Sequence, residues 1–471
     1  MFRHRFLLIA NPALGQINPA IHFAKRLINL CPAHVTVVTT LYMHRRITNK
    51  PTLPSLSFLA FSDGYDDGFI PTPDNDYSTY ASQFKRRGSE FLTNLILSNA
   101  QQGHPFTCLL YAPLLPWAPE VAREFHIPTT MLWTQPATVL DIFYYYFHGY
   151  RDYINEKTKE DPNSCSVTLP GLPFSLSARD IPSFLLLWKP SVFDFVLPTF
   201  EKQIQDLDLE ANPTVLVNTF EALETEALRA VDKFNMIPIG PLIPSAFLDG
   251  KNDPDDDGYM GGDLFQVSND YVEWLDSKKE KSVVYVSFGS YFEVSKKQRE
   301  EIAHALLDCG FPFLWVIREN EKQEEDMSFR EELEKKGKMV KWCSQVEVLS
   351  HRSLGCFVTH CGWNSSLESL VSGVPMVAFP QWSDQKTNAK LIEEVWKIGV
   401  RVDNEVSEDG IVEAEEIKRG LQVVMGNGEK GEELRMNAEK LKGLAREAAK
   451  EGGPLERNLK TFLDDVGTGP T

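Results

Sequence analysis

Apolar and polar positions along this chain fall into two blocks with the same rhythm. In the first, Arg5–Ala10 (RFLLIA) is apolar after its first residue and reads as a strand buried on both faces. Asn18 and Pro19 then carry the N-cap and first-turn preferences of a helix start. Ala20, Ile21, Ala24, Leu27 and Ile28 follow at helical spacing. The runs His34–Thr40, Thr107–Ala112 and Thr214–Phe220 repeat the strand pattern. Alternating strands and helices predict a parallel sheet covered on both faces.

The rhythm lapses over residues 241–270, rich in Gly, Pro and Asp, and restarts beyond them. Ser282–Ser290, Phe311–Arg318, Leu354–Gly362 and Val374–Pro380 read as strands, and Lys296–Gly310 as a helix ending at its glycine. The expected organisation is therefore a first lobe over 1–245, a linker or mobile loop over 246–270 and a second lobe over 271–471. Both lobes are α/β and doubly wound. Ligands in such sheets bind beyond the carboxyl ends of the strands, so a cleft between the lobes is expected.

Length and charge sharpen this picture. A chain of 471 residues is too long for one core. A net charge of −18 repels a phosphate backbone, which argues against a nucleic-acid partner. Seven scattered cysteines with no CxxC pair fit free thiols in a reducing, cytoplasmic setting. Cys356 and Cys361 read as small buried residues rather than metal ligands. The run FLLIA is too short for a signal peptide, and no apolar run approaches the roughly 20 residues of a membrane helix. Asp253–Gly258 matches the front of a calcium loop, but Leu264 stands where such a loop needs its closing Glu, so a solvated loop is expected.

The richest chemistry lies in Trp342–Gln385. A strand ending at His360 passes through Gly362 into a helix read as starting at Asn364 and Ser365, and Ser365-x-x-Glu368 has capping-box spacing. Free N–H groups and the helix dipole make such a junction an anion site, with His360, Asn364 and Ser365 as further donors. A diphosphate fits this description, although Ser365 and Glu368 can equally serve only as caps. Trp342, on another strand-to-helix turn, can stack a base or fill a core. Asp384 and Gln385, after a third strand, pair an acceptor with a donor, as sugar hydroxyls require.

These residues, from Trp342 through HCGWNS and LES to the closing DQ, resemble the signature box of the plant family 1 UDP-sugar glycosyltransferases. Phe61–Phe69, Trp133–Phe147 and Leu169–Leu185 resemble its anthocyanin 5-O-glucosyltransferase and crocetin glucosyl-ester branch. The resemblance implies the GT-B fold, two Rossmann-like lobes with the nucleotide sugar on the second and the acceptor on the first. It implies inverting transfer from UDP-glucose to a small hydrophobic acceptor, with no metal or other cofactor. Trp342 would stack uracil beside the Cys343 backbone, while Gln345 and Glu368 would bind ribose. Ser290, His360, Asn364 and Ser365 would hold the diphosphate. Trp363, Asp384 and Gln385 would hold the sugar, with Thr134 reaching it from the other lobe. The last helix is expected to pack back on the first lobe, and a monomer without membrane insertion is the default.

One position departs from the pattern. The family's loop reads GHINP, its His serving as general base and oriented by a carboxylate; this chain has Gln16, with Tyr111 and Ala112 at the carboxylate's place. His22 lies about 240° round the helix from Gln16 and is a poor substitute. A carboxylic acid, with a pKa near ~4.3, is already ionised at neutral pH and can forgo base assistance typically worth about 10²–10⁴-fold. Carboxylate or acidic phenol acceptors are one reading of Gln16. A UDP-sugar-binding protein with weakened catalysis is another, and an altered position in an ordinary enzyme a third. Another GT-B enzyme, an epimerase or phosphorylase, fits the closing QWSDQ less well. In the aromatic run Phe143–Phe147 (FYYYF), Tyr145 is expected at the acceptor, along with the preceding Asp141.

Overall fold

The computed structural model of the chain describes residues 4–47, 50–72, 76–162, 164–189, 194–249, 270–290, 293–318, 330–403 and 410–468. The calcium-like segment Asp253–Gly258, Leu264 and the linker over 250–269 lie outside the described residues.

Seven strands form the first sheet: β1 (His4–Ile9), β2 (Ala33–Thr40), β3 (Leu56–Phe61), β4 (Cys108–Tyr111), β5 (Thr129–Trp133), β6 (Thr214–Val217) and β7 (Asn235–Pro238), in the order β3-β2-β1-β4-β5-β6-β7. Six form the second: β8 (Val283–Ser287), β9 (Phe313–Val316), β10 (Lys338–Val340), β11 (Leu354–Thr359), β12 (Met376–Ala378) and β13 (Gly399–Arg401), in the order β10-β9-β8-β11-β12-β13. Every neighbouring pair is parallel. The apolar runs are continuous because each strand buries both faces. Leu7 and Ile9 join one core layer with Leu109 and Met131, while Phe6 and Leu8 join the opposite layer with Leu110 and Leu132. Val284 and Val286 are likewise divided from Val283 and Tyr285.

Chain order reverses between β1 and β4 in the first sheet and between β8 and β11 in the second. These two switch points, each at the carboxyl ends of its strands, are where a doubly wound sheet opens a crevice. The helix Pro454–Thr468 packs against the first sheet, in the core layer of Phe6 and Leu8, through Leu455, Leu459 and Phe462, whose ring lies 6.3 Å from that of Phe6.

The first helix corrects the expected start. It runs Leu14–Leu30 with Ala13 as N-cap, so Asn18 is not the cap and Pro19 lies inside the helix. The Ala13 carbonyl accepts the N–H groups of Gln16 and Ile17 and closes the first turn before the proline is reached. Pro19 has no N–H to give Gly15, four residues back, so the Gly15 carbonyl is left open. It accepts the Asn364 side-chain amide at 3.2 Å, a bond from the second lobe. The proline thus creates an acceptor at the mouth of the cleft.

Candidate active site

At the second switch point, β11 ends at Thr359 and the chain turns through His360, Cys361 and Gly362 into the helix Trp363–Ser372. Cys361 takes the left-handed region (φ 63°), a costly conformation for a side chain with a Cβ. Its N–H donates to Thr359 Oγ1 at 3.2 Å and its carbonyl accepts Asn388 Nδ2 at 2.8 Å, which fix the turn. Gly362 is the N-cap and no side chain caps the helix. The expected capping box is therefore not formed. Ser365 and Glu368 instead both accept from the side-chain amide of Gln345, the first residue of the helix Gln345–Ser350, at 2.8 and 2.6 Å. A tertiary partner outcompetes the local cap, and the first-turn N–H groups are left for an anion.

The imidazole of His360 sits between two glycines. A Cβ at Gly289, after β8, would fall 2.6 Å from His360 Nε2, and one at Gly362 would fall 2.4 Å from it. Neither position can carry a side chain without displacing the ring. Burial, helped by the nearby Arg318 cation, lowers the His360 pKa to about 4, so the ring is neutral at pH 7 and donates a single N–H. Ser290 follows on the same loop, exposed, its carbonyl accepting from Arg318.

Trp342 lies half-buried just past the end of β10. Beside it, Cys343 is buried, and its thiol lies 3.4 Å from the Tyr285 hydroxyl, which also donates to Gln345 Oε1 at 3.3 Å. Burial pushes the Glu368 carboxyl up to about 7, opposed by the Gln345 hydrogen bond. Gln345, Glu368 and Ser365 thus form one connected group.

Beyond β12, Ser383 is also left-handed (φ 57°). Asp384 accepts from Asn388 Nδ2 at 2.9 Å and, across the cleft, from Gln135 Nε2 at 3.3 Å. The Gln385 carbonyl accepts the N–H groups of Gln381 and Trp382, which leaves its NH₂ as the donor. Trp363 is placed differently from the other sugar-side residues. Its indole is buried, 5.9 Å from the ring of Trp396, and donates to the Asn218 carbonyl of the first lobe at 2.8 Å. The group it can still offer a ligand is its backbone N–H in the first helical turn.

Facing these turns is Gln16, in the first turn of its helix. Its carbonyl accepts the Thr134 hydroxyl at 2.5 Å, and its NH₂ is left as a donor. Thr134 follows β5 and is buried. Tyr111, at the carboxyl end of β4, is buried and its phenol is pushed far above its ordinary pKa by burial, so it carries no negative charge. Burial lowers His22 to about 3, with Lys25 and Arg26 adding to the effect. It is 4% exposed and cannot meet a ligand in the cleft.

The two residues expected at the acceptor, Asp141 and Tyr145, both lie on the helix Ala137–Tyr145. The Tyr145 hydroxyl donates to the Ala230 carbonyl at 2.6 Å. Asp141 is fully buried, its pKa raised well above the ordinary value by burial and by Glu224. The Tyr145 hydroxyl thus ties the helix Ala137–Tyr145 to the segment from Glu224 to Ala230, while the Asp141 carboxyl makes no hydrogen bond among the described residues. Glu224 itself receives the helix-start N–H groups of Ala137 and Thr138 at 3.1 and 3.0 Å. Sequence reasoning missed Asn388, Gln135 and Asn218, amides whose role comes from tertiary position; only the spacing of Asn388 four residues after Asp384 is a sequence signal.

The profile of the family described as UDP-glucoronosyl and UDP-glucosyl transferase matches residues 193–426. The chain is 58% identical to phloretin 4'-O-glucosyltransferase of Malus domestica, over 99% of this chain and 98% of that one. It is 55% identical to the chloroplastic crocetin glucosyltransferase of Gardenia jasminoides, over 98% and 97%. Its structure resembles the crystal structure of Os79 from O. sativa in complex with UDP, with a TM-score of 0.82 and 33% identity over 98% of this chain and 100% of that one.

Proposed function

This chain belongs to the UDP-glucosyltransferase family, and on that premise we propose that it moves glucose from UDP-glucose, with inversion, onto a carboxylate or an acidic phenol of a small hydrophobic plant metabolite. It is a UDP-dependent glycosyltransferase of GT-B fold. The observation that carries the acceptor class is the hydrogen bond between Thr134 and Gln16. With its carbonyl occupied, Gln16 presents only N–H groups, which suit an acceptor oxygen that already bears negative charge. An alcohol must lose a proton as its oxygen attacks the anomeric carbon, and neither Gln16, Tyr111 nor His22 is placed to take it. A carboxylate or phenolate attacks without that proton transfer, while the bond to UDP breaks and UDP leaves with the electron pair. Two relatives with acceptors of these chemistries, phloretin and crocetin, support the reading.

On the donor side, metal-independent departure of UDP is supported by the uncapped helix start at Trp363 and the neutral His360 between its two glycines. Preorganised donors of this kind stabilise developing charge in a dry site. Trp342 would stack the uracil and the Gln345–Glu368 pair would take the ribose. A monomer in the cytoplasm completes the reading; among the described residues, no helix is long and apolar enough to cross a membrane.

A mass-shift assay with UDP-glucose and a panel of phenols, aliphatic alcohols and carotenoid acids tests it. One added hexose on carboxylates and acidic phenols, with alcohols far behind, is the expected result. Equal turnover of alcohols overturns the acceptor class. The occupied Gln16 carbonyl also fits a UDP-sugar-binding protein with weakened catalysis, which would bind UDP-glucose and add hexose to none of the panel.

A further inference from the structure

The uracil and ribose positions are built wholly from the second lobe, whereas the sugar-side turn is held from outside it. The first-lobe segment Ser177–Leu185 lies against that turn. Ser383, the left-handed residue before Asp384, donates its N–H to Ser183 Oγ at 2.9 Å, and its carbonyl accepts the Ser183 N–H at 3.4 Å. One turn further, Thr387 donates its hydroxyl to the Asp180 carbonyl at 2.7 Å.

Asp180 anchors this segment. Its side chain is 1% exposed, and one carboxylate oxygen accepts Arg401 of the second lobe at 2.8 Å. The other accepts the N–H and hydroxyl of Ser177 at 2.8 and 2.7 Å, with Lys390 at 3.7 Å. Arg401 is 3% exposed and also pairs with Asp403 at 3.0 Å. Arg179 reaches Glu393 at 3.5 Å and Asp403 at 3.4 Å, and Lys390 reaches Glu394 at 2.5 Å. A buried carboxylate survives only where cations and donors compensate its lost hydration; here the cations Arg401 and Lys390 come from the opposite lobe. The segment and the turn are therefore held in one arrangement with the lobes together.

We propose that Asp180 is a positioning residue for the donor sugar, clasping the turn that carries Asp384 and Gln385 through the ion cluster with Arg401 and Lys390 and through Ser183. This rests on the reading that this turn handles the sugar of UDP-glucose. Because the clasp touches neither Trp342, Gln345, Glu368 nor His360, it separates recognition of the sugar from recognition of UDP.

The test compares Asp180→Asn and Ser183→Ala with the parent chain, using UDP and UDP-glucose as probes in calorimetric titrations and UDP-glucose in steady-state kinetics. Both variants should bind UDP as the parent does. Their preference for UDP-glucose over UDP should fall, for Asp180→Asn by about tenfold, short of the ~100-fold that a 1 Å misplacement can cost, and KM for UDP-glucose should rise. A general structural defect would weaken both ligands equally and overturns the proposal. Unchanged discrimination in folded variants overturns it too. If Asp180→Asn does not fold, Ser183→Ala decides alone, since it leaves the ion cluster intact. A parent chain that binds neither probe overturns the functional reading and this inference together; a parent that binds both, with unaltered variants, overturns the inference only.

Discussion

The two switch points of this molecule share one topology and carry opposite chemistry. Between β8 and β11, the chain places a neutral histidine between two glycines, in front of a helix start that no side chain caps. Between β1 and β4, it places an amide bonded to a threonine, with a buried tyrosine where an orienting carboxylate would stand. Sheet topology decides where a ligand can sit; side chains decide what happens to it there. On the proposed reading, the donor side stabilises departing charge and the acceptor side receives an oxygen that needs no base.

The largest effect should come from breaking the donor side. His360→Ala removes the donor proposed for the leaving diphosphate and should lower kcat/KM for UDP-glucose by about 10²–10³-fold, the range for one lost donor of this kind. His360→Gln, which retains an N–H donor, should recover part of it. Gln16→Ala, at the matching place in the other lobe, should change turnover of a carboxylate acceptor far less. Equal losses from both would remove the contrast between the two switch points.

Next in size is a gain. Gln16→His introduces a base at the head of the first helix, and turnover of aliphatic alcohols should rise by about 10²-fold, the low end for general-base help. The low end is expected because no carboxylate orients the ring, Tyr111 and Ala112 standing in its place. Carboxylate acceptors should gain little. Matched kcat/KM values for an alcohol and a carboxylate, before and after substitution, measure the difference; equal gains would sink the acceptor assignment.

Much of this contrast was visible in the sequence, and the parts that were not have physical causes. Strands in the middle of each sheet are continuously apolar and announce themselves. Those near the edges do not: β13 has three residues, β7 has four and ends in proline, and β3 leaves Leu59 36% exposed. Asn18-Pro19 reads as a helix start because proline belongs in a first turn, yet here the first turn is already closed at Ala13 and the open carbonyl finds Asn364 in the other lobe. Ser365 and Glu368 have the spacing of a local cap but serve Gln345, a partner twenty or more residues away. Local signals mislead where a tertiary partner competes for the same hydrogen bond.

A smaller, pH-dependent effect tests the ribose position. His360 is neutral down to about pH 4, so it does not titrate between pH 5 and 8, whereas Glu368 does, near 7. Its folded pKa is raised, so the folded state binds the proton more tightly than the unfolded chain; its contribution to stability is present at low pH and is lost as pH rises through about 7. Ligand binding should run the opposite way, because the ionised carboxylate accepts a hydrogen bond from Gln345 and, on the proposed reading, one from ribose. UDP-glucose affinity should therefore fall as pH drops from 8 to 6, by about tenfold or less, given the modest excess of charged over neutral hydrogen bonds. UDP-glucose is the right probe because its diphosphate diester does not titrate in this range. Glu368→Gln should flatten the profile; a pH step that survives the substitution belongs to another group.

The smallest effect on turnover concerns Trp363, which the resemblance assigns to the sugar and the geometry divides. Its indole N–H donates to the Asn218 carbonyl of the first lobe, and its ring packs near Trp396, so the side chain joins the lobes. Its backbone N–H, in the first turn of an uncapped helix, is the part available to a ligand. Trp363→Phe keeps that N–H and much of the packing but leaves the Asn218 carbonyl unsatisfied, which should cost ~1–3 kcal/mol of stability. Calorimetric unfolding should show a lower transition temperature, while KM for UDP-glucose stays close to that of the parent. A large rise in KM at unchanged stability would return the side chain to the sugar. The expected outcome would instead mean that the second lobe reads its ligand at this helix start mainly through backbone, which tolerates side-chain change.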